Sequence, residues 1–549
     1  MSLAKSRISK PVVIKLLKFS CVPILLFLLS IFLSALKEPY HLGQSLDPEY
    51  IYLFNSLNLL HLVAPDYTDH PGTTLQMLGA LIILLKYGIT TLFRNTLSLQ
   101  YEVLMHHTSY LRAINLALNG LIAVFSFLAG LKIYQLKKSW LLVIIFQLSP
   151  YMFKALLETT TRMWPETLLV LTILWLSIIL IPPFANKESH IFTLKRSLLI
   201  GAILGFGIAT KITFLPLILL VLLPNDLKKK AYALASCIIS FLVFTFPIWP
   251  QYGRVAGWLT SIAIHDGRYG QGTVGIPDLD VLRSSFRALI LGEPAFFAFI
   301  GLILILLVLF FFNRKIITKL MPQKNYLKVI VLFVSILILQ TVITVKHPSI
   351  HYLVPSMSLV GIIIFTLFNI LELIFRSKAR EQNIMFKLRT FLIIFVTFYI
   401  LLTGLDLAIW IQRYRTDVIR IQNLINVSYR NCTVINYYHS SSPQYALSFG
   451  NDHSNRRFGE VLSELYPNSI FYNIWSRQFY GYVNHMELNE LKDRLDNGEC
   501  LLMRGTPFAY HIAHDVSPPP VILERLDGDS LEALYRVQAI INENVTDIR

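Results

Sequence analysis

Leu17-Lys-Phe-Ser-Cys-Val-Pro-Ile-Leu-Leu-Phe-Leu-Leu-Ser-Ile-Phe-Leu-Ser-Ala-Leu36 decides the class of fold. A helix needs about 20 apolar residues to cross the hydrocarbon core of a bilayer, and this stretch supplies them with one charge, Lys18, at its start. Lys5, Arg7, Lys10 and Lys15 precede it and no acid stands among them, so it enters from the cytoplasm. A cleaved signal peptide is the alternative, with Ser34 and Ala35 as the small residues such a site needs. The retained helix is the preferred reading.

The same pattern repeats along the chain. Further spans are expected at about 111–131, 139–156, 167–183, 198–210, 212–224, 231–248, 295–313, 327–345, 353–375 and 388–411. Their connections alternate. Lys132/Lys137/Lys138, Lys195/Arg196, Lys228–Lys230, Arg314/Lys315/Lys319 and Arg376/Lys378/Arg380 form one set, and the acids and long polar loops fill the other. The positive-inside rule puts the basic set in the cytoplasm. Residues 73–93 are apolar enough to span, but counting them would turn Lys132, Lys137 and Lys138 outward. They are therefore read as a re-entrant or juxtamembrane helix on the outer face. The expected fold is an all-α polytopic membrane bundle of about eleven transmembrane helices, N-terminus inside, with outer-face juxtamembrane helices and a small C-terminal α/β soluble domain. The membrane domain covers 1–412, with a first outer loop at 37–110, and the soluble outer domain covers 413–549.

Composition agrees. Of 549 residues, 54% are apolar and 15% charged, against roughly 25% charged in an ordinary soluble chain. This excludes disordered, collagenous and disulfide-scaffold classes and argues against a soluble enzyme. The formal net charge of +16 comes from clusters between apolar runs, so no nucleic-acid partner is expected.

After Trp410 no spanning run remains. Short alternating stretches, Cys432–Tyr438 and Ile470–Trp475, mix with a helix-compatible one, Glu487–Asp496. Cys432 and Cys500 lie in this domain, where an oxidising compartment would let them pair; a pair and two free thiols stay equally open. The sequons at Asn426, Asn431 and Asn544 also fall here and matter only in a eukaryotic lumen.

Chemistry gathers at the outer ends of the spans. The first outer loop carries Asp47-Pro48-Glu49-Tyr50 and Asp66-Tyr67-Thr68-Asp69-His70-Pro71-Gly72. Pro48 disfavours the α region for Asp47, which places Asp47 just before a helix start, where it could equally cap free N–H groups. Glu166 follows Pro165 at the start of a span, with Arg162 four residues earlier. Lys211 interrupts an apolar stretch after Gly201, Gly205 and Gly207. Snorkelling would account for Lys211; an ammonium held for a lipid phosphate is the sharper reading. His265-Asp266-Gly267-Arg268 and Lys346-His347-Pro348-Ser349-Ile350-His351-Tyr352 add cations and rings on the same side. The histidines lack zinc-type spacing such as HExxH, and no metal site is expected.

Together these residues resemble the GT-C membrane glycosyltransferases, in particular the protein O-mannosyltransferase and lipid A aminoarabinose transferase branch. The resemblance rests on DPEYIY (47–52) after span one and on D-H-P (69–71). Arg112 opening the next span, P-E (165–166), G-x3-G-x4-TK (201–211), Tyr352-x-x-Pro355 and the outer domain complete it. It covers most of the chain as architecture, through motifs that are individually short. In the branch Asp and Glu are commonly adjacent, whereas Pro48 separates them here; H-P-P is usual, and here Gly72 follows Pro71. D-P-x-Y is also similar to oligosaccharyltransferase catalytic subunits, whose first-loop Asp binds a divalent metal.

The resemblance implies an inverting transfer of a sugar from a polyprenyl-phosphate-linked donor to an acceptor hydroxyl on a glycan, lipid or protein. Asp47 would be the base, with Glu49 its substitute or partner. Glu166 would orient substrate and Lys211 would hold the phosphate, while Asp69, His70, Arg162, Arg268, His351 and Tyr352 would be further binding residues. No cofactor is implied, with Mg or Mn left open. A bacterial inner membrane is preferred, an endoplasmic reticulum being the eukaryotic equivalent. A glycan polymerase or ligase, a lipid-linked sugar flippase and a transporter are the competing functions.

Overall fold

The computed structural model describes residues 10–42, 48–94, 96–185, 192–275, 277–312, 324–374, 379–507, 520–528 and 531–541. Among these, seven helices are long and apolar enough to cross a membrane: Lys18–Leu36, Thr73–Phe93, His107–Lys137, Pro165–Ala185, Tyr326–Lys346, Ile350–Ile374 and Gln382–Ser428. Two further pairs, Leu227–Phe244 with Phe246–Ile264 and Leu279–Gly292 with Pro294–Phe310, pass the same test but bend by 81° and 99°. The chain is an integral membrane protein with seven candidate spans among the described residues, judged by length and composition, or up to nine if each bent pair is one span.

The expected eleven spans are not reproduced, and the reason is local. The stretch 139–156 breaks into Trp140–Leu148, a 3-10 turn at Ser149–Met152 containing Pro150, and Lys154–Thr159. Leu194–Thr210 has 17 residues and Ile212–Leu222 is an 11-residue 3-10 helix. At the rise of each helix type these cover about 26 and 22 Å, short of the ~30 Å core. Thr73–Phe93, expected at the outer face, is one continuous 21-residue helix. The last span lies within a 50-residue helix, Ala379–Ser428, so the composition change after Trp410 falls inside a helix.

The chain divides into two compact units interleaved in sequence. One comprises 1–32, 68–75 and 115–407; the other comprises 33–67, 76–114 and 408–549. In the first unit, Leu194–Thr210 lies against Leu227–Phe244 at glycine-scale distance. A Cβ on Gly201 would stand 2.0 Å from the Ala233 carbonyl oxygen, and one on Gly205 2.2 Å from that of Cys237. Ser240 Oγ donates to the Ala202 carbonyl at 2.7 Å across this contact. Small residues let helices approach to this distance.

The second unit contains a seven-stranded sheet: β1 Thr433–Tyr437, β2 Ile470–Asn473, β3 Gln478–Tyr480, β4 His485–Met486, β5 Leu501–Gly505, β6 Val521–Gly528 and β7 Ala533–Ile540. The order is β4-β3-β2-β1-β5-β7-β6. β1 runs parallel to β2 and β5, and the outer strands are antiparallel. The alternating stretches become β1 and β2, and Leu488–Asp496 is the helix expected at 487–496. Ile435, Tyr437, Ile470, Tyr472, Phe479 and Met503 are in the buried core. Cys432 and Cys500 form a disulfide, which ties the start of β1 to the start of β5.

The first-loop helix Glu49–Leu60 belongs to this unit and packs on helix Pro443–Asp452. A Cβ on Gly450 would meet the Phe54 ring at 2.5 Å, and Asn55 Nδ2 donates to the His453 carbonyl at 3.0 Å. Asn55 Oδ1 also accepts from the Asp66 N–H at 2.7 Å, which returns the loop to its own helix.

Candidate functional site

Four separate stretches of the first unit build one buried polar cluster. Pro165 occupies the first position of helix Pro165–Ala185, where its missing N–H costs nothing, and so sets Glu166 in the first turn. Thr167 Oγ1 closes the preceding turn on the carbonyls of Thr159 and Arg162 at 2.6 and 3.1 Å. Lys211 is an extended residue (φ −161°, ψ 135°) between the helix ending at Thr210 and the 3-10 run from Ile212. Pro216 has no N–H to donate to the Ile212 carbonyl, so an α-helix cannot start cleanly there. The break aims the lysine sideways. Its Nζ donates to Glu166 Oε1 at 2.5 Å, with both side chains buried.

The 347–355 stretch supplies the next wall. Tyr352 presents its ring 4.9 Å from Lys211 Nζ, a cation–π arrangement, and Gln340 Nε2 holds the Tyr352 carbonyl at 2.7 Å. His351 Nε2 lies 3.9 Å from Glu166 Oε1, its Nδ1 is 2.7 Å from Ser349 Oγ, and its ring meets Trp164 edge-on.

The third wall is His70, whose ring is 6.3 Å from Tyr352 and 5.1 Å from Trp258. Burial and the nearby Lys211 and His351 hold His70 well below the usual histidine value, so it is neutral at pH 7. Helix Tyr252–Ile264 pins this loop twice from one face. Arg254 donates to Thr68 Oγ1 at 3.0 Å, and Trp258, one turn later, covers His70. Gly72 has φ +68°, a conformation closed to proline.

Glu166, Lys211, His351, Tyr352 and His70 are thus brought together. Arg162 is fully buried just before Glu166, and Asp69 is half-buried beside His70. Asp47 and the Arg268 side chain lie outside the described residues. Glu49 is in the second unit. It is fully buried in the first turn of its helix, with Pro48 rather than Asp47 at the N-cap position. Nearby in that unit, Tyr50 Oη is 2.9 Å from His107 Nδ1, and Arg112 Nε donates to Glu38 at 2.6 Å. Sequence reasoning gave no role to Trp258, Gln340 or Arg254. A tryptophan 188 residues from its histidine partner carries no local signal. Among the described residues no group of three or more His, Cys, Asp or Glu could hold a metal ion.

The cluster can place one ammonium, oriented by a carboxylate and an aromatic ring, at the end of apolar helices. Lys211 carries three N–H donors and Glu166 takes one, which leaves donors for an anion. No protein-family model matches the chain, and no curated protein matches it by sequence. Two solved structures of ArnT from Cupriavidus metallidurans are similar along most of the chain. The form bound to undecaprenyl phosphate has a TM-score of 0.48 at 11% identity, covering 95% of this chain and 98% of that one. The apo form has a TM-score of 0.49 at 12% identity, covering 96% and 98%. Both are resemblances of chain path, at an identity too low to transfer a residue or a substrate.

Proposed function

We propose that this protein is an inverting membrane glycosyltransferase that moves a sugar from a polyprenyl-phosphate-linked donor to an acceptor hydroxyl at the outer face of a bacterial inner membrane. The observation that carries the reading is the buried Lys211 ammonium, held by Glu166 and faced by Tyr352. A dolichol- or undecaprenyl-type donor presents a phosphate at the end of an apolar chain, which is the ligand such a placement suits.

In this reading the Asp47 carboxylate takes the proton of the acceptor hydroxyl, whose oxygen attacks the anomeric carbon from the face opposite the phosphate. The bond from that carbon to the phosphate oxygen breaks and the electron pair leaves with the phosphate. Lys211 stabilises that charge as it develops. Glu166 fixes the ammonium. His70, His351 and Tyr352 line the sugar, and Asp69, Arg162 and Arg268 are further contacts. Glu49, buried in the first turn of its helix, is the substitute or partner of Asp47. The acceptor is a glycan, lipid or protein hydroxyl. The reaction as written requires no cofactor, and chelation by EDTA tests for Mg or Mn.

The test is to purify the protein in mild detergent and measure co-purifying polyprenyl phosphate by mass spectrometry, wild type beside Lys211→Met. Retention that collapses in the variant is the expected result, and any sugar mass on the lipid names the donor. No retention by the wild type, even after saturating add-back, would overturn the reading. With a donor in hand, Asp47→Asn should lower the rate by about 10²–10⁴. Full activity in Asp47→Asn with none in Glu49→Gln would invert the two assignments.

A further inference from the structure

Residues 86–110 of the second unit line an open cavity of about 380 Å³, and none of them belongs to the Lys211 cluster. Its size lies within the range of small-ligand sites, about 300–1,000 Å³. The wall carries two cations, Lys86 and Arg94, one carboxylate, Glu102, with His106 Nε2 3.9 Å from it, and three hydroxyls, Thr90, Ser109 and Tyr110. Lys86 Nζ donates to Ser109 Oγ at 2.5 Å and stands 4.3 Å from the centre of the Tyr110 ring.

Two features of the lining suit a ligand with one polar and one apolar end. Tyr110 is 1% exposed, yet its hydroxyl has no hydrogen-bond partner among the described residues, and a buried hydroxyl is normally satisfied. The remaining wall includes Ile89 and Phe93, which are 58% and 82% exposed and continue into exposed Leu92 on the same helix. Apolar side chains this open beside a cationic cavity fit lipid chains leading to a charged headgroup.

We propose that this cavity binds the phosphodiester headgroup of a bilayer lipid. Lys86 and Arg94 hold the phosphate oxygens, the Tyr110 hydroxyl donates to one of them, and the acyl chains lie along Ile89, Leu92 and Phe93. Glu102 selects the headgroup. A carboxylate in the wall opposes the second charge of a phosphomonoester and complements an ammonium, so phosphatidylethanolamine is preferred over phosphatidylglycerol. The site is a lipid-binding site distinct in its residues from the donor-phosphate cluster.

The experiment is native mass spectrometry of the full-length, delipidated protein titrated with phosphatidylethanolamine, phosphatidylglycerol or diacylglycerol. One phosphatidylethanolamine should be retained, in preference to phosphatidylglycerol, and diacylglycerol should not. Lys86→Ala with Arg94→Ala should weaken retention about tenfold or more, the effect of removing a hydrogen bond to a charged group. Lys211→Met should leave retention unchanged. Tyr110→Phe keeps the ring and fold and should still weaken binding, which decides the matter if the double variant fails to fold. Equal retention by wild type, the double variant and Tyr110→Phe would overturn the proposal, as would equal retention of diacylglycerol. Displacement by excess inorganic phosphate would assign the cavity to free phosphate and overturn the lipid reading.

Discussion

Lys211 and Glu166 are each other's partner in a buried setting, and that fixes how substitutions there behave. Removing one member leaves a buried charge unpaired, at a cost of about 3–5 kcal/mol, whereas replacing both by neutral groups of similar volume is often close to neutral. Glu166→Gln alone should therefore lower the melting temperature markedly, and Glu166→Gln with Lys211→Met should recover most of it. Donor-lipid retention should stay lost in the double variant, because the ammonium is gone. Recovery of stability and retention together would show that the pair is structural. His70 makes a second prediction. Its native pKa lies below the ordinary 6.5 through burial, then Lys211 and His351, so the unfolded chain takes a proton that the native site refuses. Its contribution is full above pH 6.5 and is lost as the pH falls toward the native value. Melting curves between pH 8 and pH 5 should show a fall on the acid side that is smaller in His70→Gln.

At the scale of elements, the contact of Leu194–Thr210 with Leu227–Phe244 depends on what Gly201 and Gly205 lack. The atoms a Cβ would strike are backbone carbonyl oxygens of the facing helix, Ala233 and Cys237, so no side-chain rotation relieves the clash. Gly201→Val should separate the helices and destabilise the protein by about 1–3 kcal/mol, the usual range for overpacking. The same helix ends at Thr210, whose Oγ1 accepts from Thr74 Oγ1 at 2.7 Å, so the displacement reaches Lys211. Thermal melting checks the stability loss, and donor-lipid retention checks the transmission. A melting temperature unchanged by Gly201→Val would show that the helices are not in close contact in the membrane.

For the whole molecule, the contact between first-loop helix Glu49–Leu60 and helix Pro443–Asp452 constrains topology. Both must lie on one side of the bilayer, so an even number of crossings separates them and the total is odd. The basic clusters then choose which side. The expectation read from them is the outer face for the sheet domain, and Ser476, exposed after β2, offers a reporter. Ser476→Cys in a Cys21→Ser, Cys237→Ser background should react with a membrane-impermeant maleimide on intact spheroplasts. Labelling only after lysis would reverse the orientation.

Hydropathy, charge alternation and strand periodicity are properties of neighbouring residues, and they made the membrane class, the helical bundle and the C-terminal sheet domain legible. Pro165-Glu166, Lys211, His70 and Tyr352 were legible as candidates for the same reason: an ionisable or polar residue at the end of an apolar run is conspicuous wherever it occurs. Span number was not, because Pro150 and the break at Lys211 turn apolar runs into helices shorter than the bilayer core, and apolarity by itself does not measure length along the bilayer normal. The sequence left the state of Cys432 and Cys500 open, and β1 and β5 pair side by side to close it. Only the tertiary structure could bring Lys211 onto Glu166 and Trp258 onto His70. It also set Arg504, on β5, against Glu532 at 2.7 Å in the sheet domain. These contacts join residues tens to nearly two hundred positions apart, and pairing at that range is decided by how helices and strands pack, a quantity no local pattern carries.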